Sequence, residues 1–163
     1  MITKTKSIFS SRVVSAFPGV GKTYCAERTK LTILDSDSMS FSWSRPGVRN
    51  PHFPSNYIDH IKASMVDGSV DFIFVSSHDT VRAALVEAGI DFTLLYPNRS
   101  MKEEYLRRYR NRGSKADFVE LLDKSWDEFM DSLEAQENCT HIQLKRGEHL
   151  SDYMPLNWGK DDG

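Results

Sequence analysis

The chain has 163 residues, a length that suits one domain with a real buried core. Hydrophobic residues make up 39% and charged residues 27%, and a net charge of −2 excludes a global basic field that would draw the protein onto nucleic acid. Cys25 and Cys139 are too few for a disulfide framework, no apolar run reaches membrane-spanning length, and the N-terminus lacks a signal-peptide core, so the expected location is the cytoplasm, with no membrane partner.

Residues 12–17 read as a short buried strand running into a Pro-Gly turn, and a helix is expected from 22 to about 30. Across that junction runs Ala16-Phe17-Pro18-Gly19-Val20-Gly21-Lys22-Thr23. A phosphate-binding loop asks for Gly, four residues, then Gly-Lys-Ser/Thr. Ala16 stands in the first position, which is compatible only if the backbone there avoids a conformation reserved for glycine. Gly19 and Gly21 let successive amides turn toward phosphate oxygens. Phe17, Pro18, Gly19, Val20, Gly21, Lys22 and Thr23 are therefore expected to line ATP. Lys22 would bridge the β- and γ-phosphates and the Thr23 hydroxyl would ligate Mg²⁺. A chance Gly-x-Gly-Lys-Thr in a surface turn is the competing reading, and the strand before and helix after argue against it.

A second apolar run, Leu31-Thr32-Ile33-Leu34, ends in Asp35-Ser36-Asp37. Alternate residues of an extended segment project to the same side, so both carboxylates can face one site. One acid can hold Mg²⁺ through water while the other accepts a proton from an attacking hydroxyl. The expectation assigns Asp35 to the metal and Asp37 to the acceptor, with exchanged roles or simple turn-forming roles open. Residues 38–54 read as a long irregular acceptor-binding loop carrying Phe41, Trp43, Arg45, Arg49, His52 and Phe53. Aromatics interleaved with cations suit a stacked base and a nearby phosphate, although Trp43 and Phe53 could equally anchor the loop to the core. Ser55 or Asn56 is a candidate N-cap for a helix through Met65, stopped by Asp67-Gly68.

Asp71-Phe72-Ile73-Phe74-Val75 is the most continuous apolar run, the pattern of a strand buried on both faces of a parallel sheet. It leads into Ser76-Ser77-His78-Asp79, so a serine stands where a second magnesium-holding acid is expected. Asp79 is expected to cap a helix over 80–88, and His78 to touch substrate or to be structural. Phe92-Thr93-Leu94-Leu95-Tyr96 is another strand, followed by a charged helix at 100–112 with Lys102, Arg107, Arg108, Arg110 and Arg112. Arg108 and Arg112, four apart, share one face. Arginines of this kind can neutralise charge during phosphoryl transfer, so 100–113 is expected to act as a basic lid with Arg108 and Arg112 as catalytic candidates. A solvated helix paired with Glu103 and Glu104 is the alternative. Residues 117 to about 137 form an amphipathic pattern with Phe118, Leu121, Leu122, Trp126, Phe129 and Leu133 at helical spacing, and 140–144 reads as a last strand.

Five strands alternating with helices imply an α/β three-layer sandwich around a central, mostly parallel five-stranded sheet, in a single domain over 1–163. Ligands of such sheets bind beyond the carboxyl ends of the strands, where the polar residues after Phe17, Leu34, Val75 and Tyr96 should meet.

The blocks Ser15-Ala16-Phe17-Pro18-Gly19-Val20-Gly21-Lys22, Asp35-Ser36-Asp37-Ser38 with Phe41-Ser42-Trp43, Phe53-Pro54-Ser55-Asn56-Tyr57-Ile58, Val75-Ser76-Ser77-His78 and Tyr105…Arg108-Tyr109…Arg112-Gly113 occur in this order. Together they resemble small phage-encoded P-loop kinases related to thymidylate kinase, most like the 5-hydroxymethyluridine DNA kinases of phages that hypermodify thymine. The resemblance spans about residues 12–126. It implies a nucleoside-monophosphate-kinase-like fold and ATP-dependent phosphorylation of the 5-hydroxymethyl group of 5-hydroxymethyluracil in DNA. It also implies a monomer or weak dimer in the host cytoplasm. A base embedded in DNA must leave its stack to reach such a cleft, and Phe41 or Trp43 could hold it. A free deoxynucleoside monophosphate kinase, or an ATP-binding module without transfer chemistry, are the other functions compatible with these residues.

Overall fold

The computed structural model describes residues 11–28, 31–36, 38–45 and 47–153, apart from the side chains of Arg28, Met39, Ser40 and Arg45. In chain order the elements are β1 (Val13–Ala16), α1 (Lys22–Arg28), β2 (Ile33–Asp35), α2 (Met39–Ser42), β3 (Trp43–Arg45), β4 (Val48–Arg49), α3 (Ser55–Val66), β5 (Phe72–Ser76), α4 (Asp79–Glu87), β6 (Thr93–Pro97), α5 (Lys102–Asn111), α6 (Ala116–Glu134) and β7 (Thr140–Leu144). Short 3₁₀ turns lie at Arg99–Met101 and Leu150–Asp152.

The five apolar runs become one sheet in the order β2-β5-β1-β6-β7, and every pairing within it is parallel. All residues of β1 and β6 are buried, and so is β5 up to Ser76, which is why these strands read as continuous rather than alternating apolar runs. β7 closes one edge and alternates, burying Ile142 and Leu144 while Thr140 and Gln143 face solvent. Strand order reverses at β1: the chain passes outward to β2, returns to fill the gap with β5, then continues through β6 on the other side. That reversal leaves the topological crevice of an open α/β sheet beyond the carboxyl end of β1.

Aromatic side chains weld the end of β1 to α5 and α6. Phe17 meets Trp126 edge-on at 5.7 Å and Tyr105 at 6.3 Å, and Tyr109 meets Phe118 at 5.1 Å. Trp126 donates its indole N–H to the Arg99 carbonyl at 2.8 Å, so the ring is both packed and satisfied. At the opposite end of β1, Arg12 clamps the turn between α3 and β5, donating to the carbonyls of Met65 and Val70.

Four local expectations are corrected. The buried face of α6 is Val119, Leu122, Trp126, Met130 and Leu133, and Leu121 is 51% exposed. At about 100° per residue Leu121 lies a quarter-turn from Leu122 and falls off the face. Residues 38–54 are not irregular: α2 and the antiparallel hairpin β3–β4 occupy them. The cap of α3 is Pro54 rather than Ser55 or Asn56. Proline needs no acceptor at a helix start, and Ser55 Oγ donates instead to the His52 carbonyl at 2.9 Å. Asp79 is the first residue of α4 rather than its cap, and it accepts from the Thr80 amide at 2.7 Å. Among the described residues no helix is long and apolar enough to cross a membrane.

Candidate functional site

The backbone leaves the sheet just past β1. Ala16 is a strand residue in register with Ser76 on one side and Leu95 on the other, and the Phe17 amide extends the ladder by donating to Leu95 O at 2.9 Å. Alanine at position 16 is therefore unstrained. Positive φ falls instead on Gly19 (+92°) and Gly21 (+100°), where the absence of a Cβ is required.

Four successive carbonyls of this loop, Pro18 to Gly21, are anchored. Tyr109 Oη donates to Pro18 O at 2.8 Å and Arg108 Nη1 to Gly19 O at 2.6 Å. The Leu150 amide donates to Val20 O at 2.9 Å and the Cys25 amide to Gly21 O at 3.0 Å. The amides of Gly19, Val20, Gly21, Lys22 and Thr23, by contrast, donate to no acceptor among the described residues. Five consecutive backbone donors without a protein partner among the described residues run into the N-terminus of α1, the arrangement that an anion-binding nest requires. The Lys22 ammonium and the Thr23 hydroxyl border the same stretch and also have no protein partner among the described residues.

Behind the loop, Tyr105, Arg108, Tyr109 and Arg112 lie on one face of α5 at helical spacing. Arg108 is 20% exposed, pairs with Glu104 at 2.5 Å and stacks over the Tyr105 ring at 4.3 Å. Arg112 lies over the Tyr109 ring at 5.1 Å and donates to Ser114 Oγ. Tyr105, Leu106 and Tyr109 are buried, so the helix expected as a lid is a packed wall of the core, with Arg107 and Arg110 on its solvent side and Arg112 exposed just past its C-terminal end. Burial pushes the Tyr105 hydroxyl up to about 12 and raises Tyr109 further, so both are neutral donors at physiological pH.

The two acids are placed differently from each other. Asp35 closes β2, exposed, in register with Phe74 and hence level with Val14, two residues short of Ala16. With β5 between them, β2 stands about 10 Å from β1. Asp37 lies outside the described residues. The strand end opposite Ala16 is Ser76, whose carbonyl accepts from buried Ser15 Oγ at 2.8 Å and whose Oγ accepts from the His78 amide at 3.2 Å. The His78 side chain is exposed at the start of α4 and makes no cap bond. Tyr57, within the Phe53-Pro54-Ser55-Asn56-Tyr57-Ile58 block, ties the two strand ends together. Its hydroxyl donates to Ser36 O at 2.6 Å and accepts from the Ser76 amide at 3.3 Å.

Among the described residues no group of three or more His, Cys, Asp or Glu side chains could hold a metal ion. Mg²⁺ in phosphate sites needs only one or two protein oxygens, with water and phosphate completing its shell. Thr23 and Asp35 are the oxygen-bearing side chains that the sequence offers for that role.

The acceptor candidates separate into two groups. Phe41 packs on α3, 5.2 Å from Tyr57 and stacked on His60 at 4.8 Å, and Phe53 stacks on Tyr57 at 6.2 Å. These two rings anchor the segment. Trp43 and Arg49 are partners across the hairpin, with the Arg49 guanidinium 4.3 Å from the ring centroid. Arg45 pairs through its backbone with Val48, and its side chain lies outside the described parts. No family model matches the chain, and no curated protein sequence matches it.

Proposed function

We propose that this chain is a P-loop kinase of the nucleoside-monophosphate-kinase type, transferring the γ-phosphate of ATP to a hydroxyl. The observation that carries the reading is the run of five amides from Gly19 to Thr23 without a partner among the described residues, beside four anchored carbonyls. Those amides and the Lys22 ammonium would supply hydrogen-bond donors and a positive charge to the oxygens of a triphosphate. The Thr23 hydroxyl and Asp35 would hold Mg²⁺, which when bound offsets charge on the phosphate oxygens. Asp37 is the proposed base. The acceptor oxygen attacks the γ-phosphorus, its proton passes to that carboxylate, and the bond to the ADP oxygen breaks.

For the acceptor we propose the 5-hydroxymethyl group of 5-hydroxymethyluracil in DNA. The sequence resemblance supports this choice, as does the Trp43–Arg49 pair, which offers a ring for a base beside a cation for a phosphate. Ser76 in place of a second metal-holding acid favours a different reading, an ATP-binding module without transfer. Incubation with γ-labelled ATP and Mg²⁺, offering hydroxymethyluracil-containing DNA and free deoxynucleoside monophosphates in parallel, separates these. Label in the DNA is the expected result. Label only in free nucleotide rejects the DNA acceptor. ATP retention without label in either selects the binding module, and no retention removes the whole reading.

A further inference from the structure

In a trans peptide the carbonyl and the amide of the next residue point in opposite directions. Anchoring Pro18 O therefore aims the Gly19 amide, and anchoring Gly19 O aims the Val20 amide. Both anchors come from side chains of α5, Tyr109 Oη and Arg108 Nη1. The next two carbonyls, Val20 O and Gly21 O, are held by backbone amides of Leu150 and Cys25. Side chains thus guard the two peptides that flank Gly19, where the missing Cβ makes reorientation cheapest.

The packing agrees. A Cβ placed on Gly19 would meet Tyr109 Cε1 at 3.0 Å and Tyr105 Cδ2 at 3.2 Å, so α5 lies directly against the back of the loop. Arg108 is itself oriented from two sides, by the Glu104 carboxylate and by the Tyr105 ring. Its charge is balanced by Glu104, and one of its N–H donors is given to Gly19 O, on the side of the loop away from the amides. That arrangement suits a brace and not a group that reaches a transferring phosphate.

We propose that Arg108 and Tyr109 are positioning residues: acting through the Gly19 and Pro18 carbonyls, they set the affinity of the loop for a phosphate chain and not the rate of transfer. The inference rests on the triphosphate reading above, and its test separates the two. Equilibrium binding of ATP, GTP and inorganic tripolyphosphate is measured for the unaltered protein, Tyr109→Phe, Arg108→Gln and Arg108→Lys, with a melting curve for each in the absence of ligand. Tyr109→Phe keeps the ring and is expected to weaken binding about 3–10-fold, and Arg108→Gln about 10–100-fold, the ranges for a neutral and a charge-assisted hydrogen bond. The factor should be the same for ATP, GTP and tripolyphosphate, because the brace acts on phosphate alone. Arg108→Lys should recover part of the loss. In turnover the loss should fall on KM for ATP, with kcat at saturating ATP changing by less than ~3-fold. If the unaltered protein binds none of the three ligands, the triphosphate reading fails and takes this proposal with it. Should it bind while Tyr109→Phe and Arg108→Gln bind equally well, only the brace is overturned. A fall in kcat at constant KM for Arg108→Gln would return that residue to the transfer step and also overturn it. Tyr109→Phe decides the matter alone if the Arg108 variants melt near the assay temperature.

Discussion

Gly19 and Gly47 both take a positive φ, +92° and +81°, in opposite surroundings. Around Gly19 the rings of Tyr105 and Tyr109 stand at contact distance, whereas a Cβ on Gly47 would meet nothing within 4 Å. The first glycine sits in a loop with four successive anchored carbonyls, the second at the tip of a hairpin whose β4 strand is exposed and two residues long. A positive φ serves two ends. Binding a triphosphate by backbone amides needs donors fixed in place, because each misdirected N–H forfeits a charge-assisted bond. An acceptor held by stacking needs a face, and the Trp43–Arg49 pair offers one at the surface.

The largest effect should come from the charge at the loop. Lys22→Ala is expected to lower turnover ~100-fold or more at saturating ATP, the range for removing one preorganised phosphate-stabilising group. Release of labelled phosphate to the acceptor measures it, and unchanged turnover would dissociate the loop from transfer. Next comes the glycine pair itself. Gly19→Ala combines a strained φ with a 3.0 Å contact to the Tyr109 ring, and should cost about 1–3 kcal/mol of stability and impair ATP binding with it. Gly47→Ala meets the same backbone strain, about 1–2 kcal/mol, without the steric contact, and should leave ATP affinity unchanged. Equal loss of ATP binding in both would mean that the two regions are not independent. On the hairpin side, Trp43→Ala should raise KM for the acceptor with no change in KM for ATP, by the ~1–3 kcal/mol that a base gains on an aromatic ring. Arg49→Ala should do the same more weakly, since an exposed cation–π contact contributes about 0.5–1 kcal/mol.

The same contrast explains what the sequence disclosed. Strands buried on both faces announce themselves, so Phe72-Ile73-Phe74-Val75 and Thr93-Leu94-Leu95-Tyr96 were legible from continuous apolarity. The glycine loop was legible because its requirements are local: a buried strand, two glycines, a lysine and a helix. The hairpin was not read, although Pro46-Gly47 between Trp43-Ser44-Arg45 and Val48-Arg49 is a turn signal, because strands of three and two residues are too short to show alternation. Arg108 illustrates the deeper limit. Its spacing from Tyr105 and Tyr109 marks a shared helix face, but nothing local says that this face meets Gly19, 89 residues earlier in the chain. A cluster of arginines looks the same in sequence whether it closes over a ligand or braces the loop from behind.

The smallest expected effect tests how tightly that brace is packed. Tyr105 is fully buried and its hydroxyl has no hydrogen-bond partner among the described residues, so the ring serves the packing while the oxygen costs free energy. Tyr105→Phe should therefore leave stability unchanged or raise it by up to about 1 kcal/mol at neutral pH, measured by denaturant unfolding. Its alkaline behaviour carries the sign. Burial raises the Tyr105 hydroxyl from 10.0 to about 12, with the Arg108 guanidinium pulling the other way, so the folded protein keeps a proton that the unfolded chain gives up. Stability from this group is whole below pH 10 and is lost as pH climbs toward 12. The substituted protein should lack that part of the decline, so its advantage over the unaltered chain should widen between those limits. Tyr109, also raised by burial but bonded to Pro18 O, should keep a residual alkaline slope in both proteins. A gap that stays constant from neutral pH into the alkaline range would mean that solvent reaches the Tyr105 oxygen, and that α5 packs against Gly19 less closely than a 3.2 Å approach of its ring requires.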